Sequence, residues 1–164
     1  MPHPQPLHIT PQDGQTLSVV GDTYRLVLTG AQTGGAFAVI EMLVPQGGGP
    51  NPHSHAGFHE SFHVLEGEIE VKSESGTLIA KTGDFIEIPT GGVVHSFKNK
   101  SPETARLWCV VVPAGMEEFF REIGKPVAFG EFLPVPEMDA DEMKRLEAIA
   151  EKHGQKLFPP DYLG

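Results

Sequence analysis

Three histidines and one glutamate have the residue types and spacing needed to hold a metal ion. His53 and His55 are two positions apart, and the prolines just ahead of them favour extended backbone, in which such residues point to the same side. Glu60 follows after a short flexible turn, and His95 opens a later strand just after a glycine-rich turn. Three imidazoles and one carboxylate form a ligand set that suits Fe, Mn, Co, Ni, Cu or Zn.

The other histidines are competing candidates. His59 is adjacent to Glu60, and because neighbouring strand residues face opposite sides, only one of these two can reach a common site. His63 lies on the same face as His59, and His3 and His8 lie in a proline-rich leader. His153 lies in the last turn of a predicted helix, where a cation suits the helix dipole. We therefore do not predict metal binding by His63, His3, His8 or His153.

The chain around these residues resembles the two sequence motifs of the cupin superfamily. The first motif, with its spacing of glycines, His-x-His and glutamate, is matched by Gly47, His53, His55, Glu60 and Gly67. The second is matched by Gly83, Pro89, His95 and Asn99, although Gly91 lies four positions before the histidine where the family spacing has three. The resemblance covers about residues 36–113. It implies that His53, His55, Glu60 and His95 are the metal ligands, with Glu60 rather than His59 facing the ion.

The elements that must position these residues are short strands. Apolar runs punctuated by Gly, Asn or Pro recur about every eight to twelve residues, which is typical of a sandwich or barrel. The clearest predicted strands are 24–29, 37–44, 60–65, 68–73, 77–81, 84–88, 94–99 and 106–112. Tight turns at 66–67 and 74–76 predict a three-stranded antiparallel meander over 60–81. We expect an all-β antiparallel barrel, and the resemblance implies a cupin jelly roll.

The last third of the chain has a different pattern. Apolar residues at helical spacing predict a short helix from Met116 to a stop at Gly124. A capping pattern at Asp139 predicts a second helix that ends near His153. The proline-containing link between them, 125–137, is expected to be an extended strap. We therefore divide the chain into a barrel with its leader, 1–113 (core 36–113), and a helical extension packed on it, 114–164.

Charge and cysteine content limit the possible partners and compartment. The chain has 22 acidic and 12 basic residues, a net charge of -10, and the basic residues are scattered, which argues against binding to nucleic acid or anionic membranes. The N-terminus lacks the pattern of a signal peptide, and no stretch is long and apolar enough to span a membrane. The single cysteine, Cys109, lies in an apolar run and indicates a buried thiol in a reducing compartment. We expect a cytoplasmic protein.

Strand alternation also predicts the surroundings of the metal. Phe62 and Val64 share the face of Glu60, and Phe97 and Asn99 share the face of His95. These four residues would line a largely apolar pocket suited to an aromatic or small organic molecule. A strongly anionic substrate is disfavoured, since the nearby Lys98 is expected to point away.

The resemblance extends to quercetin dioxygenase-like single-domain cupins, and it implies a metal-dependent dioxygenase acting on a small enolic or phenolic, flavonol-like substrate. Glu60 would serve as both ligand and general base. Two alternatives stay open: a metal-dependent isomerase, lyase or decarboxylase with a small-molecule substrate, and a non-catalytic small-molecule-binding protein. A homodimer is also expected, because cupins commonly pair through sheet faces or exchanged N-terminal strands.

Overall fold

Alternation of apolar and polar residues gives most strands one buried face, and these faces pack against each other in two antiparallel sheets. The computed structural model describes residues 4–164, so the expectation for His3 lies outside the described part of the chain. The core lies between the sheets and includes Ile40, Val64 and Leu107, all fully buried. This architecture confirms the expected all-β antiparallel fold.

The described chain contains twelve strands and three helices. The strands are β1 (Gln15–Val19), β2 (Asp22–Leu28), β3 (Ala38–Val44), β4 (His53–Ser54), β5 (His59–Glu66), β6 (Glu68–Ser73), β7 (Gly76–Lys81), β8 (Phe85–Ile88), β9 (His95–Lys98), β10 (Ala105–Val112), β11 (Lys125–Pro126) and β12 (Lys156–Leu157). The helices are α1 (Gly30–Thr33), α2 (Met116–Ile123) and α3 (Ala140–Lys152). The seven-stranded sheet has the order β11-β1-β2-β3-β10-β5-β8, and the five-stranded sheet has the order β12-β4-β9-β6-β7.

The predicted three-stranded meander over 60–81 is wrong in its first half. Strands β6 and β7 form the expected hairpin, but β5 pairs with β10 and β8 in the other sheet. The turn at Gly67 therefore carries the chain from one sheet to the other. Gly67 has a φ of 76°, and a Cβ atom there would lie 3.1 Å from the Cα of Ala105. Alternation along a strand is the same for both pairings, so it could not distinguish them.

Both predicted C-terminal helices are present. Helix α2 ends just before Gly124, and the Asp139 side chain caps α3 by accepting a hydrogen bond of 2.8 Å from the Glu142 amide. The extension also adds one strand to each sheet, because β11 pairs with β1 and β12 pairs with β4. No helix within residues 4–164 has the length and apolar character needed to cross a membrane.

A buried carboxylate anchors the glycine-rich loop between β3 and β4. Asp22 is 2% exposed and accepts hydrogen bonds from the Tyr24 hydroxyl at 2.9 Å and the Gly49 amide at 3.2 Å. A Cβ atom at Gly48 would lie 2.4 Å from the Asp22 Oδ1 atom, so this close approach requires glycine. Burial raises the pKa of the Asp22 carboxyl to about 6, although both hydrogen bonds act in the opposite direction.

The substitution Asp22→Asn should reduce the pH dependence of stability. Because the pKa of Asp22 is raised in the folded state, the folded protein binds this proton more tightly than the unfolded chain, and wild-type stability falls as pH rises through about 6. Between about pH 5 and about pH 7.5 the free energy of unfolding of the wild type should fall by about 1 kcal/mol relative to the variant. Urea unfolding at the two pH values measures this difference.

The matched control is Asp161→Asn, which changes an exposed aspartate. This control should reproduce the wild-type pH profile. A constant difference between wild type and Asp22→Asn at both pH values would contradict a raised pKa for Asp22.

Candidate metal centre

Four side chains from both sheets converge inside the barrel. His53 lies on β4 and His95 on the neighbouring β9, where the two are direct cross-strand partners. His55 follows β4, and Glu60 reaches the same point from β5 in the other sheet. Their ligand atoms all lie within 4.8 Å of one another, and each residue is at most 7% exposed. The structure thus brings together the four residues that the sequence singled out as metal ligands.

Backbone carbonyls orient two of the three imidazoles. The Nδ1 atom of His53 lies 2.8 Å from the Asn51 carbonyl oxygen, and that of His95 lies 3.0 Å from the Val93 carbonyl oxygen. A carbonyl oxygen only accepts, so Nδ1 carries the proton in both rings. In each neutral ring the lone pair is therefore on Nε2, the atom with which such histidines bind a metal.

The position of Glu60 creates a need for positive charge at the centre. Its Oε1 atom lies 3.3 Å from Nε2 of His55 and 3.3 Å from Nε2 of His95. Since Nε2 of neutral His95 carries a lone pair, two acceptors face each other unless a cation lies between them. A second proton on the ring meets this need, and so does a metal ion. Ligand atoms bound at about 2.1 Å are separated by about 3.0 to 3.4 Å, so the two contacts of Glu60 fit a shared divalent transition metal.

The protonation states of the site also suit metal binding. Burial acts to raise the pKa of the Glu60 carboxyl, but the hydrogen bonds and positive charge that His55 and His95 supply when they are protonated outweigh it and hold this pKa well below its usual range. Burial, helped by the nearby His95, lowers the pKa of His53 to about 4. At neutral pH Glu60 is therefore ionised and His53 is neutral. These are the states in which a carboxylate and an imidazole bind a metal.

The other histidines among residues 4–164 lie away from this centre. His59 is on the outer side of β5, where its Nδ1 atom is 2.6 Å from Glu87 and its side chain is 51% exposed. His63 is exposed on the same side, and His153 lies 3.2 Å from Glu122 near the end of α3. The alternation along β5 thus directs Glu60, not His59, to the site.

The predicted pocket residues differ in their surroundings. Phe62 and Phe97 contact each other edge to face with ring centroids 5.1 Å apart, and Val64 is fully buried. Asn99 instead holds the turn after β9, because its amide donates to the Val44 carbonyl at 2.9 Å and to a second carbonyl in that turn. The role of these four residues in binding a substrate stays a prediction.

Two residues beside the centre were not recognised from the sequence. The ring of Phe58 stacks on His55 with centroids 4.2 Å apart and an angle of 14° between the planes. The thiol of Cys109, fully buried as predicted, lies 3.7 Å from Oε2 of Glu60. The Ala56-Gly57 turn breaks the alternation ahead of Phe58, and the contact of Cys109 depends on the pairing of β10 with β5. Neither contact can therefore be inferred from the neighbouring residues in the sequence.

Comparison with known proteins agrees with this geometry. Residues 40–112 match a family described as "Cupin domain". The chain is 31% identical over 114 residues to "Quercetin 2,3-dioxygenase" of Bacillus subtilis (strain 168). That similarity covers 70% of this chain and 33% of the relative, so the chain spans about a third of the relative's length.

Solved structures share the fold at lower identity. KdgF from Halomonas sp. aligns with a TM-score of 0.59 at 16% identity, over 70% of this chain and 99% of that one. Ectoine synthase from P. lautus aligns with a TM-score of 0.55 at 21% identity, over 77% of this chain and 86% of that one. The double sheet, the family match and the inward-facing cluster of histidines and glutamate together identify the chain as a member of the cupin superfamily.

Proposed function

We propose that this protein is a metal-dependent dioxygenase that acts on a small enolic or phenolic, flavonol-like substrate. The observation that carries the proposal is the buried centre itself, in which three imidazoles and one carboxylate converge in a geometry that could hold a metal ion. The similarity to "Quercetin 2,3-dioxygenase" of Bacillus subtilis supports the oxygenase chemistry. The proposed cofactor is one divalent ion among Fe, Mn, Ni, Co, Cu and Zn.

His53, His55, Glu60 and His95 would hold the ion. A bound ion would supply Lewis acidity, which lowers the pKa of an enol or phenol hydroxyl, and a redox-active ion such as Fe, Mn, Ni, Co or Cu would also supply redox chemistry towards dioxygen. The carbonyl contacts of His53 and His95 keep Nε2 of each ring directed at the centre. The chain therefore contributes fixed ligand geometry.

Glu60 is the proposed general base. Its Oε1 atom faces the imidazoles of His55 and His95, whereas its Oε2 atom faces the weakly polar thiol of Cys109. A thiol is a weak donor, so the contact with Cys109 leaves the lone pairs of Oε2 largely available. One carboxylate oxygen can thus serve the cation while the other accepts the proton of the substrate hydroxyl.

The surroundings favour an uncharged, largely apolar substrate. Phe62 and Phe97 form a buried aromatic pair, and Val64 extends the apolar face of β5. Lys98 lies outside this group, where its ammonium donates to the Gly49 carbonyl. An aromatic or enolic molecule would gain apolar contacts here without having to neutralise a buried cation.

We predict that His95→Ala abolishes tight metal binding. Loss of a contact beyond the ligands typically weakens metal binding about 10- to 100-fold, so removal of a ligand should weaken it by more than about 100-fold. Metal content measured by mass spectrometry and titration of the metal-free protein with Co²⁺ or Zn²⁺ test this expectation. The far-UV circular dichroism spectrum should stay that of the folded barrel.

The control for this experiment is His59→Ala, which removes the exposed histidine next to Glu60. The control should bind metal as the wild type does. Equal metal binding by His95→Ala and wild type would refute the ligand assignment, and an unfolded His95→Ala protein would indicate that the ion is needed for the fold.

We predict that the metal-loaded protein consumes dioxygen with flavonols, diketones or catechols, and that Glu60→Gln slows this reaction about 100- to 10,000-fold. The glutamine keeps the shape of the side chain but cannot accept the proton, so kcat should fall far more than substrate affinity. An oxygen electrode measures the rate, and metal content is measured on the same samples.

Two results would count against this assignment. A fully metallated Glu60→Gln protein with unchanged turnover would exclude the general-base role. A metallated wild type that consumes no dioxygen with any of these substrates would exclude the oxygenase, leaving the isomerase, lyase or decarboxylase and the binding protein as the remaining interpretations.

We further propose that two copies of the chain associate in the cytoplasm as a homodimer. Phe85, on the edge strand β8 of the seven-stranded sheet, is 63% exposed, and Val112, at the end of β10 two strands away, is 44% exposed, which leaves apolar surface for a second copy. Light scattering at high micromolar concentration should give about twice the chain mass of 17.8 kDa. A mass equal to that of one chain would contradict the dimer.

A further inference from the structure

The three histidines of the centre are not held in the same way. The Nδ1 atoms of His53 and His95 each donate to a backbone carbonyl. The Nδ1 atom of His55 is buried and has no hydrogen-bond partner among residues 4–164. His55 is nonetheless one of the most deeply buried side chains, at 1% exposure. Apart from the contact of its Nε2 atom with Glu60, its orientation must therefore come from packing.

Phe58 supplies that packing. Its ring lies nearly parallel to the imidazole of His55, with centroids 4.2 Å apart and planes 14° from parallel. The ring of His95 meets the same imidazole edge on, with centroids 4.8 Å apart and an angle of 78°. His55 is thus bounded by one ring on its face and another at its edge.

The turn that carries Phe58 is itself anchored beside the centre. The Ala56 carbonyl accepts a hydrogen bond of 3.1 Å from the Gly91 amide, in the turn that precedes His95. Phe58 is 9% exposed and belongs to the hydrophobic core. The anchored turn and the burial of Phe58 in the core therefore both hold its ring against His55.

A hydrogen bond at Nδ1 and a stacked ring constrain an imidazole differently. The hydrogen bond fixes the plane of the ring, selects the tautomer and increases the basicity of Nε2. A stacked ring blocks rotation out of the plane, but it neither selects the tautomer nor increases basicity. His55 should accordingly be the weakest and most adjustable of the three nitrogen ligands.

We propose that Phe58 is a positioning residue that holds the His55 imidazole, in place of a hydrogen bond at Nδ1, so that Nε2 faces the ion. This inference rests on the metal site of the proposed function, but not on the oxygenase chemistry. It makes His55 the ligand that yields first when the coordination of the ion changes.

The test compares metal binding by Phe58→Leu, Phe58→Tyr and Phe119→Leu. Phe119 is a buried core phenylalanine whose ring lies 6.0 Å from His153, a histidine away from the centre, so it controls for loss of core packing. Metal-free proteins are titrated with Co²⁺, and binding is followed by visible absorption. Phe58→Leu should bind about 10- to 100-fold more weakly. Phe58→Tyr, which restores the planar ring, and Phe119→Leu should both bind within about threefold of wild type.

A spectroscopic readout separates positioning from a general loss of stability. In the Zn²⁺-loaded proteins, ¹⁵N chemical shifts of the imidazoles report which nitrogen is bound. In Phe58→Leu the signals of His55 should broaden or move towards those of an unbound ring, whereas those of His53 and His95 should stay as in wild type. If Phe58→Leu does not fold, Phe58→Met is measured in its place.

The outcomes distinguish this inference from the proposed function. If wild type binds metal and Phe58→Leu keeps wild-type affinity and an unchanged His55 spectrum, the positioning role is wrong while the metal site stands. Equal weakening by Phe58→Leu and Phe119→Leu would also overturn it. If wild type binds neither Co²⁺ nor Zn²⁺, the metal site fails, and the inference fails with it.

Discussion

The structure depends on a buried carboxylate surrounded by imidazoles. Glu60 carries its charge at 2% exposure, and its Oε1 atom is within 3.3 Å of two ring nitrogens. A buried charge is costly unless it is paired, and the Nε2 atom of neutral His95 that faces Glu60 carries a lone pair, so this contact is favourable only when a cation lies between the two atoms or the ring is protonated. The carbonyl contacts of His53 and His95 fix the protons at Nδ1 and so prevent these rings, when neutral, from satisfying Glu60 by themselves. This constraint makes the centre a site for a cation.

The rest of the fold holds this arrangement from several directions. One sheet provides Glu60 and the other provides His53 and His95, so packing of the two sheets brings the ligands together. Strand β12, from the C-terminal extension, pairs with the two-residue strand β4 that carries His53. Asp22 anchors the glycine-rich loop that leads into β4. Regions far apart in sequence therefore converge on the short segment that bears two of the four ligands.

Local rules were enough to predict much of this protein. Extended backbone ahead of His53 places it on the same side as His55, and alternation along β5 separates Glu60 from His59, because both patterns depend only on neighbouring residues. The same holds for α2 and α3, whose ends follow from a glycine and a capping aspartate. These features predicted the fold class and the candidate ligands, and the spacing of the cupin motif selected Glu60 over His59.

Other features were decided only by the tertiary structure. The turn at Gly67 connects two sheets and does not close a hairpin. The side-chain amide of Asn99 donates to the Val44 carbonyl and so holds a turn. Partners distant in sequence determine both features. The stacking of Phe58 on His55 and the approach of Cys109 to Glu60 also need the assembled barrel. Periodicity shows which side of a strand a residue faces, but not which strand lies next to it. The sequence by itself thus determined the kind of site, and long-range strand pairing decided which side chains surround each ligand.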